Sequence, residues 1–446
     1  MIKQFIATTA SAIMLAGALI FPYYLCVGSF LFLVPLFYYG LTNKLSFTHG
    51  FLWGTTFFIF HSYASFVTIM NNENKVGPFL ALLIIIIFYA IQSGLWFYFF
   101  QYLNKKINPI ISLTVTTWLF FVWISFGSLF FLGDFIGYPF SFPLLPLAAH
   151  PKLLFILPYA GLKGTMFLLI LLSMSLTLLI SRKNKYMLLL FFSCSSVFLI
   201  GFFVSQSQRP QPPYLSQFGH IVPHQKYTHP LDIAQDVYYK MKKMIETKPT
   251  VQYIFMPESS YNFALNKDRK VIKMWYNNAL YNNKHLFIGA SYKNSSHHFF
   301  NSLYWIYQGN IKQVYNKSRL MPFLEYIPWP WSQIKTIKNL FLQSNTEFCS
   351  VNAQSEEFFL SKDLSFEPYI CAEIFFGKNW KNKKKYNHQE KPLLLIVSDI
   401  SLSYDYQKNL MLLWAKAKSI ELQRDIFYIG YYFAKWISKN GSIITI

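Results

Sequence analysis

The C-terminal half of this sequence contains three short segments whose reactive side chains could act together. They are FMPESS with Glu258, VYNKSRLMPFLEYIP with Lys317 and Glu325, and PYICAEIFF with Cys371 and Glu373. A cysteine attacks an acyl carbonyl as its thiolate, so it needs a base nearby. Glu258 could take the thiol proton and return it to a leaving group, and Lys317 could stabilise an oxyanion. The segments therefore predict nucleophilic chemistry on Cys371.

Each of these residues also has a structural interpretation. A glutamate after a strand is commonly a cap or a surface charge, and a lysine in a loop is commonly solvated. Cys371 could be a buried structural residue, or it could form a disulfide with Cys349 in an oxidising compartment. Only the combination of the three segments favours a catalytic site.

The elements around these residues predict an α/β fold. Glu258 and Cys371 each lie at the end of an apolar run, and α/β folds place reacting groups at the carboxyl ends of their strands. Strands interleaved with helices favour a sandwich with buried sheets. The predicted helices cover 231–246 and 406–421, and the predicted strands cover 251–256, 285–291, 302–307, 366–371, 392–398, 426–431 and 442–446.

Several cofactor classes lack their sequence signals. The chain has no GxGxxG segment and no phosphate-binding P-loop, so nucleotide chemistry has no support. Its four cysteines include no CxxC pair and match no zinc spacing. We therefore expect no cofactor and no metal.

The N-terminal half is almost free of charged side chains, which predicts a membrane domain. A soluble protein could not cover so much apolar surface. The expected organisation is a transmembrane helical bundle over 1–204, a Pro- and Gln-rich linker over 205–220 and a catalytic domain over 221–446. The seven apolar stretches are 5–20, 22–40, 51–70, 78–103, 110–132, 154–180 and 186–204.

The positions of basic residues predict the orientation in the membrane. With the N-terminus in the cytoplasm, inner loops would contain more Lys and Arg than outer loops, as the positive-inside rule requires. Seven spans then place the C-terminal half outside, on the periplasmic face of a bacterium. The inner residues would be Lys3, Lys44, Lys105, Lys106, Arg182, Lys183 and Lys185, and the outer ones Lys75 and Lys152.

Two features within the apolar half differ from ordinary spans. Residues 133–153 are too rich in proline to span, so we expect them at the outer interface. Lys163 lies near the start of the sixth stretch, where an ionisable side chain is a functional candidate or a lysine that reaches the interface.

The net charge of +21, from 40 Lys and Arg against 19 Asp and Glu, is typical of proteins that meet nucleic acid or anionic lipid. The apolar half favours lipid, and no basic stripe with interleaved aromatic residues supports nucleic-acid binding. We therefore expect a membrane partner and no nucleic acid.

The three segments resemble those of the apolipoprotein N-acyltransferases, a family of membrane-anchored enzymes within the nitrilase superfamily. The stretch YNKSRLMPFLEYIP at 315–328 is similar to the family pattern Y-x-K-x-x-L-x-P-F-G-E-Y-x-P. PYICAEIFF resembles the family's nucleophile segment and MPES its base segment. GYPFSFP at 137–143 resembles an interfacial loop, and 398–437 resembles the stretch after the nucleophile.

The resemblance implies a fold and a set of site residues. The fold would be an α-helical membrane bundle of about seven transmembrane helices followed by an α/β nitrilase-like αββα sandwich. Glu258 would be the general base, Lys317 the oxyanion stabiliser and Cys371 the nucleophile. Glu325 and Glu373 match supporting glutamates of the family.

The resemblance also implies a reaction and partners. The enzyme would move a fatty acyl chain from a phospholipid such as phosphatidylethanolamine, through a cysteine thioester, to the N-terminal cysteine amine of a diacylated apolipoprotein. We expect a monomer in the bacterial inner membrane with its catalytic domain on the periplasmic side. The alternative is a catalytically weakened paralogue that binds lipid or lipoprotein without turnover.

Four positions depart from the family's pattern. Leu324 replaces a glycine, Ala372 a tyrosine, Ser398 an asparagine and Tyr227 a tryptophan. The resemblance also implies a shortened catalytic domain, since the family usually has further strand residues and a last transmembrane helix beyond the position of Ile446.

Overall fold

The chain forms two compact units in a computed structural model. One unit comprises Met1–Gln206 and Leu402–Glu421, and the other comprises Ser207–Ser401 and Leu422–Ile446. The segment 402–421, which sequence analysis assigned to the catalytic domain, thus belongs with the apolar helices. The described residues are 2–42, 45–63, 66, 76–127, 139–182, 185–204, 212–224, 229–277, 281, 283–322, 325–336, 338, 347–350, 358–359, 365–376, 391–399 and 405–446.

The first unit is helical. Short 3-10 turns at Pro139–Ser141, Leu145–Ala149 and Pro151–Leu154 connect its two halves. Its helices are α1 (Ile2–Ile20), α2 (Pro22–Leu25), α3 (Gly28–Leu31), α4 (Leu33–Leu41), α5 (Phe47–His61), α6 (Val76–Asn104), α7 (Pro109–Phe126), α8 (Leu157–Arg182) and α9 (Lys185–Phe203).

Within the described residues, five helices are long and apolar enough to cross a membrane. Five of the seven predicted stretches therefore coincide with candidate spans, and the count of seven is not confirmed. The five are α1, the Leu82–Asn104 part of α6, α7, the Leu157–Ser181 part of α8 and the Tyr186–Phe203 part of α9.

The predicted spans 22–40 and 51–70 differ from this pattern. The first consists of α2, α3 and α4, with Gly28–Leu41 as a shorter apolar stretch. Pro35 has no N–H to donate to the preceding turn, so it fits only the first turn of a helix such as α4. The second is described as a helix only over Phe47–His61, and its end lies outside the described residues. Parts of 110–132 and 133–153 lie outside them too.

One further helix, α13 (Asp405–Leu422), completes the first unit over residues up to Glu421. Its Trp414 is fully buried, stacks on Phe142 with ring centroids 5.8 Å apart, and donates a hydrogen bond of 3.2 Å to the Pro139 carbonyl. Lys416 is also buried, with its Nζ 3.4 Å from the Ala149 carbonyl oxygen. The Pro-rich segment therefore packs against α13.

Helix α8 has a kink near its start, and a side chain at the end of α13 accepts a hydrogen bond from the backbone there. Gly161 has φ +64° and ψ 173°, a conformation open to glycine but costly for other residues. The kink interrupts the helical hydrogen bonds, and the Leu162 N–H donates instead to Glu421 Oε1 at 3.0 Å. Lys163 follows directly and its side chain is exposed.

Over its described residues, the second unit is an α/β domain with two sheets of six strands each. Short helical turns at Pro213–Gln217, Leu265–Lys267 and Trp331–Gln333 lie between its elements. The helices are α10 (Pro230–Thr247), α11 (Arg269–Trp275) and α12 (Glu373–Phe376). The strands are β1 (Phe218–His220), β2 (Tyr253–Phe255), β3 (Tyr261–Ala264), β4 (His285–Lys293), β5 (Phe299–Tyr307), β6 (Asn310–Asn316), β7 (Phe358–Phe359), β8 (Ser365–Ile370), β9 (Leu393–Ile396), β10 (Ile426–Ile429), β11 (Ala434–Ile437) and β12 (Ile443–Thr445).

Each sheet has a parallel centre with antiparallel strands at its edge. In the first sheet the order is β1-β2-β4-β5-β6, with β3 also paired to β4. Strands β1, β2 and β4 are parallel, whereas β5 is antiparallel to both β4 and β6. In the second the order is β12-β11-β10-β9-β8-β7, with β8, β9 and β10 parallel.

Two hydrophobic clusters hold these layers together. One contains residues of both sheets, including Phe255 and Phe287 from the first and Phe366 and Phe427 from the second. The sheets therefore face each other as a sandwich. The other cluster lies between the first sheet and the apolar faces of α10 and α11. This packing brings the carboxyl ends of strands from both sheets to one edge of the sandwich.

Candidate active site

The predicted site residues follow the carboxyl ends of strands from both sheets. Glu258 lies shortly after β2, Lys317 directly after β6 and Cys371 directly after β8. Strand β6 runs parallel to β4 because both are antiparallel to β5. These strand ends therefore meet at one edge of the sandwich, which is where α/β folds bring reacting groups together.

A buried lysine lies between two carboxylates at this edge. Lys317 Nζ is 3.1 Å from Glu258 Oε1 and 2.9 Å from Glu325 Oε1. The side chains of Lys317 and Glu258 are 1% and 5% exposed, so water screens these contacts little. Asn301 Nδ2 donates to the same two oxygens, at 2.8 Å and 2.7 Å. The four polar groups satisfy one another's hydrogen bonds.

The second oxygen of each carboxylate is fixed by the backbone. The Ser398 N–H donates to Glu258 Oε2 at 2.8 Å, and the Met321 N–H donates to Glu325 Oε2 at 2.7 Å. The Lys317 backbone is held as well, since its N–H donates to the Asn301 carbonyl at 2.8 Å. Both glutamates are thereby oriented before any substrate binds.

Cys371 lies in a sharp turn between β8 and α12. Its φ of +48° is left-handed, an unusual conformation for a residue with a side chain, and such strained strand-to-helix turns present nucleophiles in other α/β enzymes. Its N–H donates to the Ile396 carbonyl at 2.8 Å, which ties the turn to β9. The residue is half-buried, and its thiol lies near enough to Glu258 for the carboxylate to raise the pKa of Cys371.

The charges around Cys371 favour the neutral thiol at rest. Burial raises the pKa of Cys371 well above its ordinary value, the Glu258 and Glu325 carboxylates raise it further, and the Lys317 ammonium opposes them. Burial alone would lower the pKa of Lys317, but the two carboxylates outweigh it and raise that pKa. The resting site therefore combines an ammonium, two carboxylates and a protonated thiol.

This arrangement suits base-assisted attack by sulfur. A thiol that is protonated at rest can react only if a nearby group takes its proton as the new bond forms, and the Glu258 carboxylate is near enough to influence the pKa of the thiol. The ammonium of Lys317 provides positive charge for an oxygen that becomes negative in the same step.

The fifth predicted residue, Glu373, lies apart from this cluster and is fully buried. Its Oε1 accepts from the Tyr315 hydroxyl at 2.7 Å and from the Ser318 N–H at 2.8 Å, and its Oε2 accepts from the Ile370 N–H at 2.9 Å. Ser318 and Ile370 are the chain neighbours of Lys317 and Cys371, so Glu373 joins the loops that carry them.

Asn301 was missed by sequence analysis. It is a buried amide within β5, among apolar and aromatic neighbours in FFNSLYWIY. A polar side chain in such a strand must find partners, and that mismatch was the available signal. The contact of the Ser398 N–H with Glu258 could not be read from residue type, since a backbone group makes it.

The structure describes two of the four positions that depart from the family's pattern. Ala372 is fully buried behind the nucleophile, and Ser398 contributes its backbone N–H rather than its side chain to the site. Leu324 and Tyr227 lie outside the described residues. Cys349 and Cys371 are both free thiols, so the disulfide alternative finds no support. Across the described ranges, no group of three or more His, Cys, Asp or Glu could hold a metal ion.

Comparison with known proteins finds a partial similarity to an acyltransferase. No protein-family model matches the sequence. A 93-residue stretch is 33% identical to the apolipoprotein N-acyltransferase of Haemophilus influenzae (strain ATCC 51907 / DSM 11121 / KW20 / Rd). The chain resembles that enzyme. The predicted resemblance is thus confirmed over 21% of this chain, while the match spans 17% of the relative's length.

Several solved structures align with about half of this chain. A glutamine-dependent NAD+ synthetase from Acinetobacter baumannii aligns over 52% of this chain and 42% of its own, with 15% identity and a TM-score of 0.37. A carbon-nitrogen hydrolase from Helicobacter pylori G27 aligns over 51% of this chain and 82% of its own, with 9% identity and a TM-score of 0.35. A nitrilase-superfamily protein of Saccharomyces cerevisiae aligns over 47% and 78%, with 10% identity and a TM-score of 0.30.

Proposed function

We propose that this protein is an apolipoprotein N-acyltransferase with a nitrilase-like catalytic domain. It would transfer a fatty acyl chain from a phospholipid to the N-terminal cysteine amine of a diacylated apolipoprotein. The observation that carries the proposal is the contact of one buried ammonium, Lys317, with both Glu258 and Glu325 beside the thiol of Cys371. The partial sequence similarity to the Haemophilus enzyme supports the choice of substrate class.

In the first half-reaction the Cys371 sulfur attacks the ester carbonyl of a phospholipid such as phosphatidylethanolamine. Glu258 takes the thiol proton as the carbon–sulfur bond forms, and Lys317 stabilises the oxyanion of the tetrahedral intermediate. When the ester carbon–oxygen bond breaks, Glu258 returns the proton to the departing oxygen. Lysophospholipid leaves and the acyl chain remains on Cys371 as a thioester.

In the second half-reaction the α-amine of the apolipoprotein attacks that thioester. Glu258 takes a proton from the amine nitrogen as the amide bond forms, and the carbon–sulfur bond breaks. The proton then returns to the sulfur, so the site regains its resting charges. One cysteine serves both halves, and the kinetics should be ping-pong.

The five apolar helices support a membrane location for this reaction, because both substrates carry acyl chains anchored in a bilayer. We propose the bacterial inner membrane, with the second unit on the periplasmic side. The excess of basic residues in the predicted inner loops supports this orientation. A monomer suffices, since Glu258, Lys317 and Cys371 come from one chain.

The proposal is tested by intact mass spectrometry of the detergent-purified protein after incubation with phosphatidylethanolamine. We expect a fatty-acyl mass increase that hydroxylamine removes and that maps to Cys371. Cys371→Ala should show no adduct, and Cys349→Ser should acylate normally as the matched thiol control. An unmodified, free Cys371 in protein that has bound the lipid would instead support a paralogue without turnover.

A further inference from the structure

The backbone beside Glu258 is packed closely on one side. A Cβ on Gly289 would lie 2.4 Å from the Pro257 carbonyl oxygen and 2.6 Å from the Glu258 Cα, so only glycine allows this approach. Ser260 Oγ donates to the Gly289 carbonyl at 3.1 Å. Strand β4 therefore packs directly against the segment 257–260.

The next residue, Ser259, has a left-handed backbone with φ +55°. This conformation is unfavourable for a residue with a side chain, and it persists only where the surroundings hold it. The Ser259 carbonyl accepts a hydrogen bond of 3.0 Å from the hydroxyl of Tyr431. Tyr431 follows β10 in the second sheet, so this bond ties the strained turn of one sheet to the other.

Tyr431 is itself held in place by a buried carboxylate. Its N–H donates to Asp399 Oδ1 at 2.6 Å, and Asp399 is fully buried. The residue before it, Ser398, donates its N–H to the Glu258 carboxylate. Ser398 thus contacts the Glu258 carboxylate directly, while Asp399 acts through Tyr431 on the backbone of the next residue, Ser259.

We propose that Tyr431 is a positioning residue, which keeps the Glu258 carboxylate against the Cys371 thiol by hydrogen-bonding the Ser259 carbonyl. The base role of Glu258 rests on the proposed function, whereas the positioning does not. Burial, together with the Glu258 and Asp399 charges, raises the pKa of Tyr431, so its hydroxyl stays protonated and remains a donor.

Loss of the hydroxyl should relax the turn. Without the hydrogen bond that the hydroxyl donates, the peptide after Ser259 can rotate toward a less strained conformation, and the side chain of Glu258 shifts with it. A small displacement of a catalytic group has a large effect on rate. Because Glu258 also raises the pKa of the thiol, the same displacement should bring that pKa down.

The test is a double-mutant cycle between Tyr431→Phe and Glu258→Gln, read by the pH dependence of Cys371 alkylation with iodoacetamide. Glu258→Gln should shift the alkylation midpoint to lower pH, and Tyr431→Phe should shift it in the same direction by less. In the Glu258→Gln background, Tyr431→Phe should add no further shift. Tyr239→Phe, at an exposed position on α10, is the matched control and should leave the midpoint unchanged.

A second readout follows acylation by phosphatidylethanolamine. We expect Tyr431→Phe to lower the rate of thioester formation about tenfold with little change in the lipid concentration that gives half the maximal rate. An unchanged alkylation midpoint in a folded Tyr431→Phe protein, or an equal shift in the Glu258→Gln background, overturns the positioning role. If the midpoint shifts as expected but the wild-type protein forms no thioester, the proposed function fails and the positioning stands.

Discussion

Glu258 acts on Cys371 in two opposing ways. As a negative charge it raises the pKa of the thiol, whereas in the proposed mechanism it removes the thiol proton during attack. Two carboxylates beside a cysteine disfavour its thiolate, so they do not suit a site whose role is to keep the thiol ionised at rest. These charges favour a thiol that is neutral at rest, as the proposed mechanism requires.

Glu258→Gln should separate these two effects. The neutral amide removes one cause of the raised pKa, so the pKa of Cys371 should fall. Thioester formation should nevertheless slow by about 10²–10⁴-fold, because no base remains. The pH profile of alkylation and the rate of acyl-adduct formation measure the two separately. Faster acylation in this variant would contradict the base role.

Lys317 should matter for stability as well as for activity. Lys317→Met leaves two buried carboxylates facing each other, and breaking such a buried ion pair costs about 3–5 kcal/mol. We expect a lower midpoint of thermal unfolding in detergent and no acylation. Adding Glu325→Gln should recover part of the midpoint, since one uncompensated charge is removed, without restoring acylation. Equal midpoints in the single and double variants would argue against the charge explanation.

At the residue scale, the sequence predicted which residues form the candidate site better than it predicted the contacts between them. The motifs identified Glu258, Lys317, Glu325 and Cys371, and the structure brings these four together. Asn301 and Tyr431 act across different strands, and no local spacing links them to the motifs. Their contacts depend on how the two sheets face each other.

At the scale of elements, the predicted strands and helices of the C-terminal half are largely confirmed. The helix expected at 406–421 is α13 (Asp405–Leu422), and the strand expected at 285–291 lies within β4. Short strands such as β1 and β3 were missed, since three or four residues carry too little periodicity to detect. The packing of α13 with the first unit was also missed, because its apolar side chains fit either environment.

The cap that α13 provides to α8 gives a prediction for helix stability. Glu421 accepts the Leu162 N–H at the kink, as a capping residue does at a helix start. Glu421→Ala should cost about 1 kcal/mol of stability and lower the thermal unfolding midpoint in detergent.

Glu246→Ala on the exposed face of α10 is the matched control for this cap, because it removes an equal charge without a capping role. It should leave the unfolding midpoint unchanged. If both variants unfold at the wild-type temperature, the Glu421 contact contributes nothing to the helix.

At the scale of the whole molecule, the orientation of the second unit can be tested by labelling. In a Cys349→Ser/Cys371→Ala background, we expect Glu246→Cys to react with a membrane-impermeant maleimide in spheroplasts. Lys105→Cys, in a predicted cytoplasmic loop, should react only after the membrane is permeabilised. Labelling of Lys105→Cys alone in sealed spheroplasts would place the catalytic unit in the cytoplasm and reverse the predicted topology.

The chain passes between its two units at three points, after Gln206, after Ser401 and after Glu421. A protease that cut only the Pro-rich linker would therefore release no soluble fragment, because α13 still belongs with the apolar helices. A gene shortened to begin after that linker would express α13 without its packing partners for Trp414. Simple truncation would thus not yield a self-contained second unit, and the proposed reaction would stay tied to the apolar helices.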